Sequence, residues 1–315
     1  MRLKQLLILG GTGFVGSELA TLARRCNIDV VLTSRAKPSH QLYQHFSLDL
    51  ESPSIAQDLR ALMTESRPDA VIDLAASGVS PSDRRPVDQS IAPRYAEVLL
   101  AMVEEHEIAR LVHVSSDLIF GPDTEDAYIN SKIEAERIFQ ESGLVDGVIS
   151  VIHLPRVIGG EEPRGRFVSD LLHDLLTSQH AHVNEPRRIR NFIPIDSAAS
   201  LILSTTECGP TASCSDSLIQ YSTYRESLGA LSRLACEIVL EFGFAASVTE
   251  SVAPSQLKEQ SHVTPSRLNE PFIAKGLDFG EYGTFASYGR RSIREVLRHQ
   301  VELQLKHLLR QKERS

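Results

Sequence analysis

Residues 6–25 read "LLILGGTGFVGSELATLARR", and this stretch decides the fold. Its first four residues are apolar and predict a buried strand, while the apolar spacing after Gly16 predicts an amphipathic helix. Gly10, Gly13 and Gly16 lie between the two elements and in the start of the helix. Glycines in this context let the backbone approach a pyrophosphate, whose charge then lies at the helix N-terminus. The stretch therefore predicts a dinucleotide-binding turn.

Short apolar runs alternate with helical patterns through the first half of the chain. The runs cover residues 6–9, 29–33, 46–48, 70–74, 111–115 and 148–153. Between them, apolar residues recur at the spacing that buries one face of a helix. This alternation predicts an α/β fold with a Rossmann-type, doubly wound parallel sheet. After residue 155 the alternation loosens, which predicts a smaller C-terminal α/β lobe.

The composition limits what the chain binds. It has 315 residues, 42% of them hydrophobic, and a formal net charge of −8. That acidic balance argues against nucleic acid as a partner, because phosphate contacts need a basic face. The four cysteines form no CxxC pair and predict reduced thiols. No apolar run approaches membrane-spanning length, so we expect a cytoplasmic protein with no membrane contact and a small-molecule substrate.

The end of the second strand bears on the choice of cofactor. An acidic side chain there hydrogen-bonds the ribose hydroxyls of NAD and repels a 2′-phosphate. This sequence has Thr33, Ser34 and Arg35 instead. NADP is therefore favoured over NAD, unless Arg35 is an ordinary solvated arginine. Further candidates for lining the cofactor follow the third and fourth runs: Asp49, Leu50 and Ala75.

Tyr128 and Lys132 lie four residues apart at a predicted helix start, so both side chains leave the same face. A free tyrosine ionises at about pH 10, and a neighbouring ammonium favours the phenolate form. Ser116, after the fifth run, is placed to hydrogen-bond a substrate carbonyl while Tyr128 exchanges a proton with its oxygen. These residues predict carbonyl chemistry with a nicotinamide hydride. The alternative is that Tyr128 is a helix-start aromatic and Lys132 is solvated.

Together these motifs resemble the extended short-chain dehydrogenase/reductase family, the group of nucleotide-sugar epimerases, dehydratases and reductases. The similar segments are "GGTGFVG" (10–16), "HVSSDLIFG" (113–121), "YINSK" (128–132), "LPRVIGG" (154–160) and "RRIRNFIPIDSAASLIL" (187–203). The resemblance covers nearly the whole length and is only general in character beyond about residue 225. It implies an NADP-binding Rossmann domain at 1–155, to which 191–222 returns. It also implies a substrate-binding lobe at 156–190 and 223–315.

The resemblance assigns roles to individual residues. The implied catalytic residues are Ser116, Tyr128 and Lys132. The implied cofactor contacts are Gly10, Gly13, Phe14, Val15, Gly16, Ser34, Arg35, Asp49, Leu50, Ala75 and Lys132. The implied substrate contacts are Asp117 and Arg190. Arg190 matches an arginine that faces the substrate diphosphate in nucleotide-sugar enzymes, and "RRIR" supplies forked donors suited to phosphate oxygens.

Two departures from the family pattern affect the predicted reaction. Tyr128 follows Ser116 by twelve positions, against roughly two dozen in the family, so a substrate-covering loop is shortened. Leu118 follows Asp117 where the dehydratases place a glutamate, which disfavours dehydration. The segment "SSDLIF" is more similar to dTDP-4-dehydrorhamnose reductases and related keto-sugar reductases.

The leading hypothesis is therefore an NADP-dependent reductase that acts on a keto group, in a nucleotide-linked sugar. One alternative is a nucleotide-sugar epimerase that keeps its cofactor tightly bound. Another is a non-catalytic NADP-binding regulatory or scaffold protein. The shortened loop is the reason for considering this alternative. The histidines show no metal-ligand spacing, and we expect no metal site.

The chain ends in a predicted helix. Ser292, with Glu295 three residues later, predicts a capping box at its start. The apolar residues of this helix form one broad stripe, at Ile293, Val296, Leu297, Leu305 and Leu308. The stripe predicts internal packing or a homodimer face.

Overall fold

A computed structural model describes residues 3–35, 42–76, 88–120, 126–144, 147–208, 218–220, 224–251 and 292–312. The chain divides into two compact units. The first comprises Met1–Pro155 and Asp196–Tyr221, and the second comprises Arg156–Ile195 and Ser222–Ser315. The chain thus returns to the first unit at Asp196. The resemblance had implied a return at residue 191, five residues earlier in the chain. The return comes later because residues 191–194 pair as a strand inside the second unit.

Seven strands form the sheet of the first unit. They are β1 (Gln5–Leu9), β2 (Asp29–Ser34), β3 (Gln44–Ser47), β4 (Ala70–Asp73), β5 (Arg110–Ser116), β6 (Ile149–Leu154) and β10 (Leu218–Gln220). Every pairing is parallel, and the order is β10-β6-β5-β4-β1-β2-β3. The order reverses between β1 and β4, which is where doubly wound sheets bind ligands. The predicted fold class is confirmed.

Helices connect these strands. They are α1 (Phe14–Arg25), α2 (Ile55–Ser66), α3 (Ile91–Glu105), α4 (Ala127–Glu141) and α6 (Ile195–Cys208), with a 3-10 turn at Asp117–Phe120. Leu59 of α2, Leu99 of α3 and Phe139 of α4 are fully buried in one core against the sheet. All six residues of β6 are buried, as expected for a parallel strand covered on both faces. Polar residues near the carboxyl ends of these strands are therefore exceptions to the apolar core, and their presence needs a separate explanation.

The second unit has a separate core. Its strands are β7 (Arg156–Ile158), β8 (His180–Asn184), β9 (Ile189–Pro194), β11 (Tyr224–Ser227) and β12 (Ser247–Ser251). They form a sheet of order β11-β9-β7 and a β12-β8 pair. Helices α5 (Phe167–Thr177), α7 (Leu228–Glu241) and α8 (Ile293–Lys312) pack with them around Leu172, Phe192 and Leu297.

The predicted start of the last helix is confirmed. Glu295 Oε2 accepts a hydrogen bond from Ser292 N at 2.6 Å, and Ser292 Oγ accepts one from Glu295 N at 3.3 Å. This reciprocal pair is a capping box. The apolar stripe packs into the core of the second unit through Val296 and Leu297, with Leu305 partly buried. Internal packing therefore accounts for the stripe.

Candidate active site

The turn between β1 and α1 has a backbone that requires glycine. Gly10 has a φ of +76°, a conformation that residues with a Cβ rarely adopt. A Cβ on Gly16 would lie 2.7 Å from the carbonyl oxygen of Gly10 and 2.7 Å from the Cα of Gly11. The first turn of α1 therefore packs directly against the turn. This is the close approach that a bound pyrophosphate needs.

Hydrogen bonds to β2 fix the turn. Thr33 accepts from Gly10 N through Oγ1 at 3.1 Å, and from Gly11 N through its carbonyl oxygen at 2.9 Å. The first turn of α1, which begins with Phe14 and Val15, contains no acidic residue. An anion at this helix end meets the positive end of the helix dipole without a competing carboxylate. The turn thus fits the diphosphate of a nicotinamide dinucleotide.

Polar side chains gather where β2 ends. Ser34 Oγ lies 2.7 Å from His45 Nε2, and Ser47 Oγ donates to the carbonyl oxygen of Arg35 at 3.0 Å. The positions from Thr33 to Arg35 carry no carboxylate. The sequence analysis did not single out His45, although its place one strand away from Ser34 follows from the parallel pairing of β2 and β3. This edge of the sheet therefore offers hydroxyl, imidazole and guanidinium groups.

Residues from the ends of β3 and β4 have different surroundings. Leu50 and Ala75 line one cleft of the first unit, whereas Asp49 is exposed and accepts a hydrogen bond from Glu51 N at 3.1 Å. A Cβ on Gly10 would lie 3.1 Å from the Cα of Ala75. Ala75 therefore connects the glycine turn with the cleft.

Tyr128 and Lys132 line the same cleft as Ala75, which is partly open to solvent. Both residues lie on α4, one helical turn apart, and Lys132 is 6% exposed. A buried ammonium is costly unless its surroundings compensate the charge. The predicted pair thus lies together and lines one cleft of the first unit.

The comparison with family models matches residues 6–200, more than half of the chain, to the NAD dependent epimerase/dehydratase family. The chain belongs to this family. Among curated proteins no sequence relative was found. The resemblance inferred from the motifs is therefore confirmed at the level of the family, which is a family of enzymes.

Solved structures similar to this epimerase/dehydratase family member share its fold. WbmH of Bordetella bronchiseptica, in complex with NAD+, has a TM-score of 0.68 and 17% identity, over 95% of this chain and 97% of that chain. The NAD-dependent NDP-hexosamine 5,6-dehydratase TunA, involved in tunicamycin biosynthesis, has a TM-score of 0.69 and 19% identity, over 96% and 98%. UDP-glucose 4-epimerase of Thermus thermophilus, in complex with NAD, has a TM-score of 0.69 and 18% identity, over 95% and 98%. At these identities the likeness establishes the fold.

Ser116 is not among the residues that line the cleft in this family member. It is the last residue of β5, half-buried, and its Oγ accepts a hydrogen bond from Leu118 N at 3.3 Å. Ser115 is buried, and its Oγ has no hydrogen-bond partner among the described residues. Alternate strand residues share a face, so Ser115 lies on the face of His113, which does line the cleft. The structure therefore brings Tyr128 and Lys132 together in one cleft, and it places Ser116 at the end of β5, outside the residues that line that cleft. The connecting residues 121–125 lie outside the described ranges.

The two predicted substrate contacts lie in different units. Asp117 begins the 3-10 turn of the first unit. Arg190 lies in β9 of the second unit, half-buried and directly opposite Glu226 of β11. Burial raises the pKa of the Glu226 carboxyl above its ordinary value. The Arg190 guanidinium donates to the carbonyl oxygen of Ile189 at 3.2 Å.

The sequence analysis missed a buried polar cluster in the cleft, formed by Asp73, Tyr95 and His113. It found no metal-ligand spacing among the histidines and assigned no role to His113. The available signal was that Asp73 and His113 are polar residues within apolar runs, at positions that pair directly in neighbouring strands. The contact between Asp73 and His113 can be recognised only when the register of β4 and β5 is known.

In the described part of the chain, no group of three or more His, Cys, Asp or Glu side chains is arranged to hold a metal ion. Over the same ranges, no helix is long and apolar enough to cross a membrane. Cys26, Cys208 and Cys236 are free thiols, and Cys214 lies outside those ranges.

Proposed function

We propose that this protein transfers a hydride between NADP and a carbonyl carbon of a nucleotide-linked sugar, in the direction of keto reduction. The observation that carries the proposal is that Tyr128, Lys132 and Ala75 line one cleft, while Ala75 also contacts the glycine turn. A dinucleotide on that turn extends along the carboxyl ends of β1 and β4 in doubly wound folds. Tyr128, as a proton donor, and Lys132, as a buried cation, would then lie near the reactive end of the dinucleotide.

In the proposed reaction, each residue has a separate role. The bound nicotinamide supplies the hydride. Tyr128 donates a proton to the keto oxygen, and the Lys132 ammonium stabilises the phenolate that remains. Ser116 is the proposed hydrogen-bond donor to the same oxygen. Arg190 is the proposed contact for the substrate diphosphate, because a guanidinium forms paired hydrogen bonds with phosphate oxygens.

The preference for NADP rests on the end of β2. Ser34, Arg35 and His45 offer donors and positive charge, without the carboxylate that selects for NAD. Charge-assisted hydrogen bonds to a phosphate are about twice as strong as neutral ones. The similar structures solved with NAD make NAD the alternative cofactor.

A second candidate is epimerisation, which the similarity to a UDP-glucose 4-epimerase favours. An epimerase oxidises and re-reduces one carbon, so it needs no added cofactor and keeps its own through purification. A reductase consumes one NADPH for each product formed. A third candidate, a regulatory or scaffold protein, would bind NADPH without turnover.

The deciding experiment measures NADPH oxidation by the purified full chain with nucleotide-linked keto sugars and with simple ketones. The absorbance of bound nicotinamide is recorded before any cofactor is added. Stoichiometric NADPH consumption with a keto-sugar nucleotide supports reduction. Turnover without added cofactor, by protein that retains nicotinamide, would replace reduction by epimerisation. Binding without turnover on every substrate would reject both. A cytoplasmic location and a homodimer are further predictions.

A further inference from the structure

Asp73, at the carboxyl end of β4, and His113, in the middle of β5, form a buried pair. Asp73 Oδ2 lies 2.7 Å from His113 Nδ1, and the side chains are 1% and 4% exposed, respectively. Burying a carboxylate and an imidazole costs free energy, which apolar residues of the same volume avoid. The proposed proton transfer does not use the pair. Its presence in the cleft therefore needs another reason.

Asp73 accepts hydrogen bonds from several directions. Tyr95 Oη donates to Oδ1 at 3.0 Å, and Ala75 N donates to the same oxygen at 3.1 Å. Burial, together with the charge of Asp73, raises the pKa of Tyr95 well above its ordinary value, so the phenol stays protonated and donates. A carboxylate held by these donors fixes its other oxygen toward the imidazole. His113 Nδ1 therefore carries the proton and donates to Asp73.

This arrangement sets the role of the other ring nitrogen. In a neutral imidazole with the proton on Nδ1, Nε2 is an acceptor. His113 Nε2 is buried and has no hydrogen-bond partner among the described residues. The ring packs against Phe139, with 4.6 Å between centroids, and the residue lines the cleft with Tyr128 and Lys132. Most buried polar atoms in native proteins have partners. A ligand with a hydrogen-bond donor would supply the missing one.

A second buried histidine shows that an unpartnered nitrogen alone does not make a site. His153 of β6 lies on the same face of the sheet, since its neighbour in the register is Ser115. Its Nε2 lies 2.8 Å from Glu136 Oε2, and its Nδ1 has no partner in the described ranges. His153 is not among the residues that line the cleft. The cleft is therefore what distinguishes His113.

We propose that His113 Nε2 accepts a hydrogen bond from a ribose hydroxyl or carboxamide N–H of the nicotinamide nucleotide bound in this cleft. Asp73 is the positioning residue that holds the ring in the accepting tautomer. The inference rests on the proposed function, because it takes the cleft as the nicotinamide site. It adds a cofactor contact outside the glycine turn and the Tyr128 and Lys132 pair.

The test measures binding of NADPH and NADH to the purified full chain by nucleotide fluorescence, without any substrate. His113→Asn keeps a donor near the position of Nδ1 and removes Nε2, so Kd should rise about 3- to 10-fold, the worth of one hydrogen bond. His113→Gln places an acceptor near Nε2 but cannot reach Asp73 as Nδ1 does. It should keep affinity within about twofold of the unmodified protein while melting at a lower temperature.

The matched control is His153→Gln, which keeps a donor to Glu136 and removes Nδ1. It should bind NADPH as the unmodified protein does. An equal loss of affinity in His153→Gln and His113→Asn, or no loss in His113→Asn, would overturn the inference. If the unmodified protein binds neither nucleotide, the proposed function fails instead.

A second measurement covers the outcome that His113→Asn does not fold. Ring ¹⁵N spectra of the unmodified protein, with the His113 signals assigned through His113→Gln, are recorded with and without NADPH. Hydrogen bonding to the Nε2 lone pair shifts that nitrogen signal upfield. An Nε2 signal that stays in place when the protein is saturated overturns the inference.

Discussion

The carboxylate of Asp126 accepts a hydrogen bond from the backbone N–H of Tyr128, with 2.8 Å between Oδ1 and N. Asp126 is the N-cap of α4, in extended backbone conformation, and also accepts from Ile129 N at 3.4 Å. An N-cap of this type fixes where a helix begins. It thereby sets which face of α4 carries Tyr128, and one turn later Lys132, toward the cleft.

The first prediction concerns the phenol. Tyr128→Phe keeps the ring and removes only the hydroxyl, so kcat for carbonyl reduction should fall by about 10²- to 10⁴-fold, the usual worth of a positioned proton donor. The thermal midpoint should change little. Tyr43→Phe is the control, because Tyr43 does not line the cleft, and its kcat should equal that of the unmodified enzyme. A Tyr128→Phe enzyme with unchanged kcat on a verified carbonyl substrate would defeat the mechanism.

The second prediction separates two neighbouring serines. By the family resemblance Ser116 donates to the keto oxygen, so Ser116→Ala should lower kcat about 10- to 100-fold, as expected for one lost hydrogen bond to a developing charge. Ser115→Ala should have a smaller effect. Steady-state kinetics on both variants decides the matter. The reverse ranking would assign the role to Ser115, whose buried Oγ has no partner among the described residues.

The third prediction concerns cofactor choice. Arg35→Ala should narrow the preference for NADPH over NADH by about 1.5 to 3 kcal/mol, the range for hydrogen bonds to charged groups. Dissociation constants for both nucleotides are compared, with Arg25→Ala as control, since Arg25 is an exposed arginine in the last turn of α1. Equal affinity of the unmodified protein for NADPH and NADH would reject the proposed preference.

Much of the fold could be predicted from local sequence patterns. The six predicted strands are present: β1, β2, β4, β5 and β6 are mostly buried, whereas β3, at the edge of the sheet, is only partly buried. The glycine turn follows from residues that no Cβ-bearing side chain replaces. The capping box of α8 was readable because Ser292 and Glu295 are neighbours in sequence. What the sequence did not reveal depends on register. Asp73 and His113 are 40 residues apart, and they meet only because β4 and β5 pair in parallel at that position.

The return to the first unit was misplaced for a similar reason. Residues 191–194 are apolar enough to suit either sheet. Their backbone pairs with β7 and β11 in the second unit. No local signal distinguishes a strand of one unit from a strand of the other. The surroundings of Ser116 could likewise not be predicted from the sequence, because a side chain at a strand end can lie on either face of the sheet.

The fourth prediction concerns Arg190, the proposed contact for the substrate diphosphate. Arg190→Ala should raise KM for a nucleotide-linked sugar about 10-fold or more, since charged hydrogen bonds contribute about 1.5 to 3 kcal/mol. NADPH affinity should stay unchanged. Arg188→Ala is the control, because Arg188 is exposed and pairs with Glu185 at 2.6 Å. Loss of cofactor binding in Arg190→Ala would show that the assigned role is wrong.

The last prediction concerns a buried carboxyl of the second unit. Glu162 Oε2 accepts from Gln300 Nε2 at 2.8 Å, and Oε1 lies 3.1 Å from Arg166 Nε. Burial, with a smaller effect from the charge of Asp170, raises the pKa of Glu162 to about 7, although Gln300 and Arg166 act against the shift. The buried Gln300 Oε1 has no partner in the described residues. A protonated Glu162 has a hydroxyl that can donate to it.

A folded-state pKa above the ordinary 4.5 means that the folded protein binds this proton more tightly than the unfolded chain. The stabilisation from protonated Glu162 is therefore complete below pH 4.5 and is lost as the pH rises through about 7. Relative to Glu162→Gln, which cannot ionise, the unfolding free energy of the unmodified protein should fall by up to about 3 kcal/mol across that window. Urea unfolding at pH 5, 6, 7 and 8, roughly spanning the titration, measures this difference. Glu161→Gln, which removes the exposed neighbouring carboxylate, should follow the unmodified protein at each pH. A Glu162→Gln curve parallel to that of the unmodified protein would show that the carboxyl does not titrate in this range.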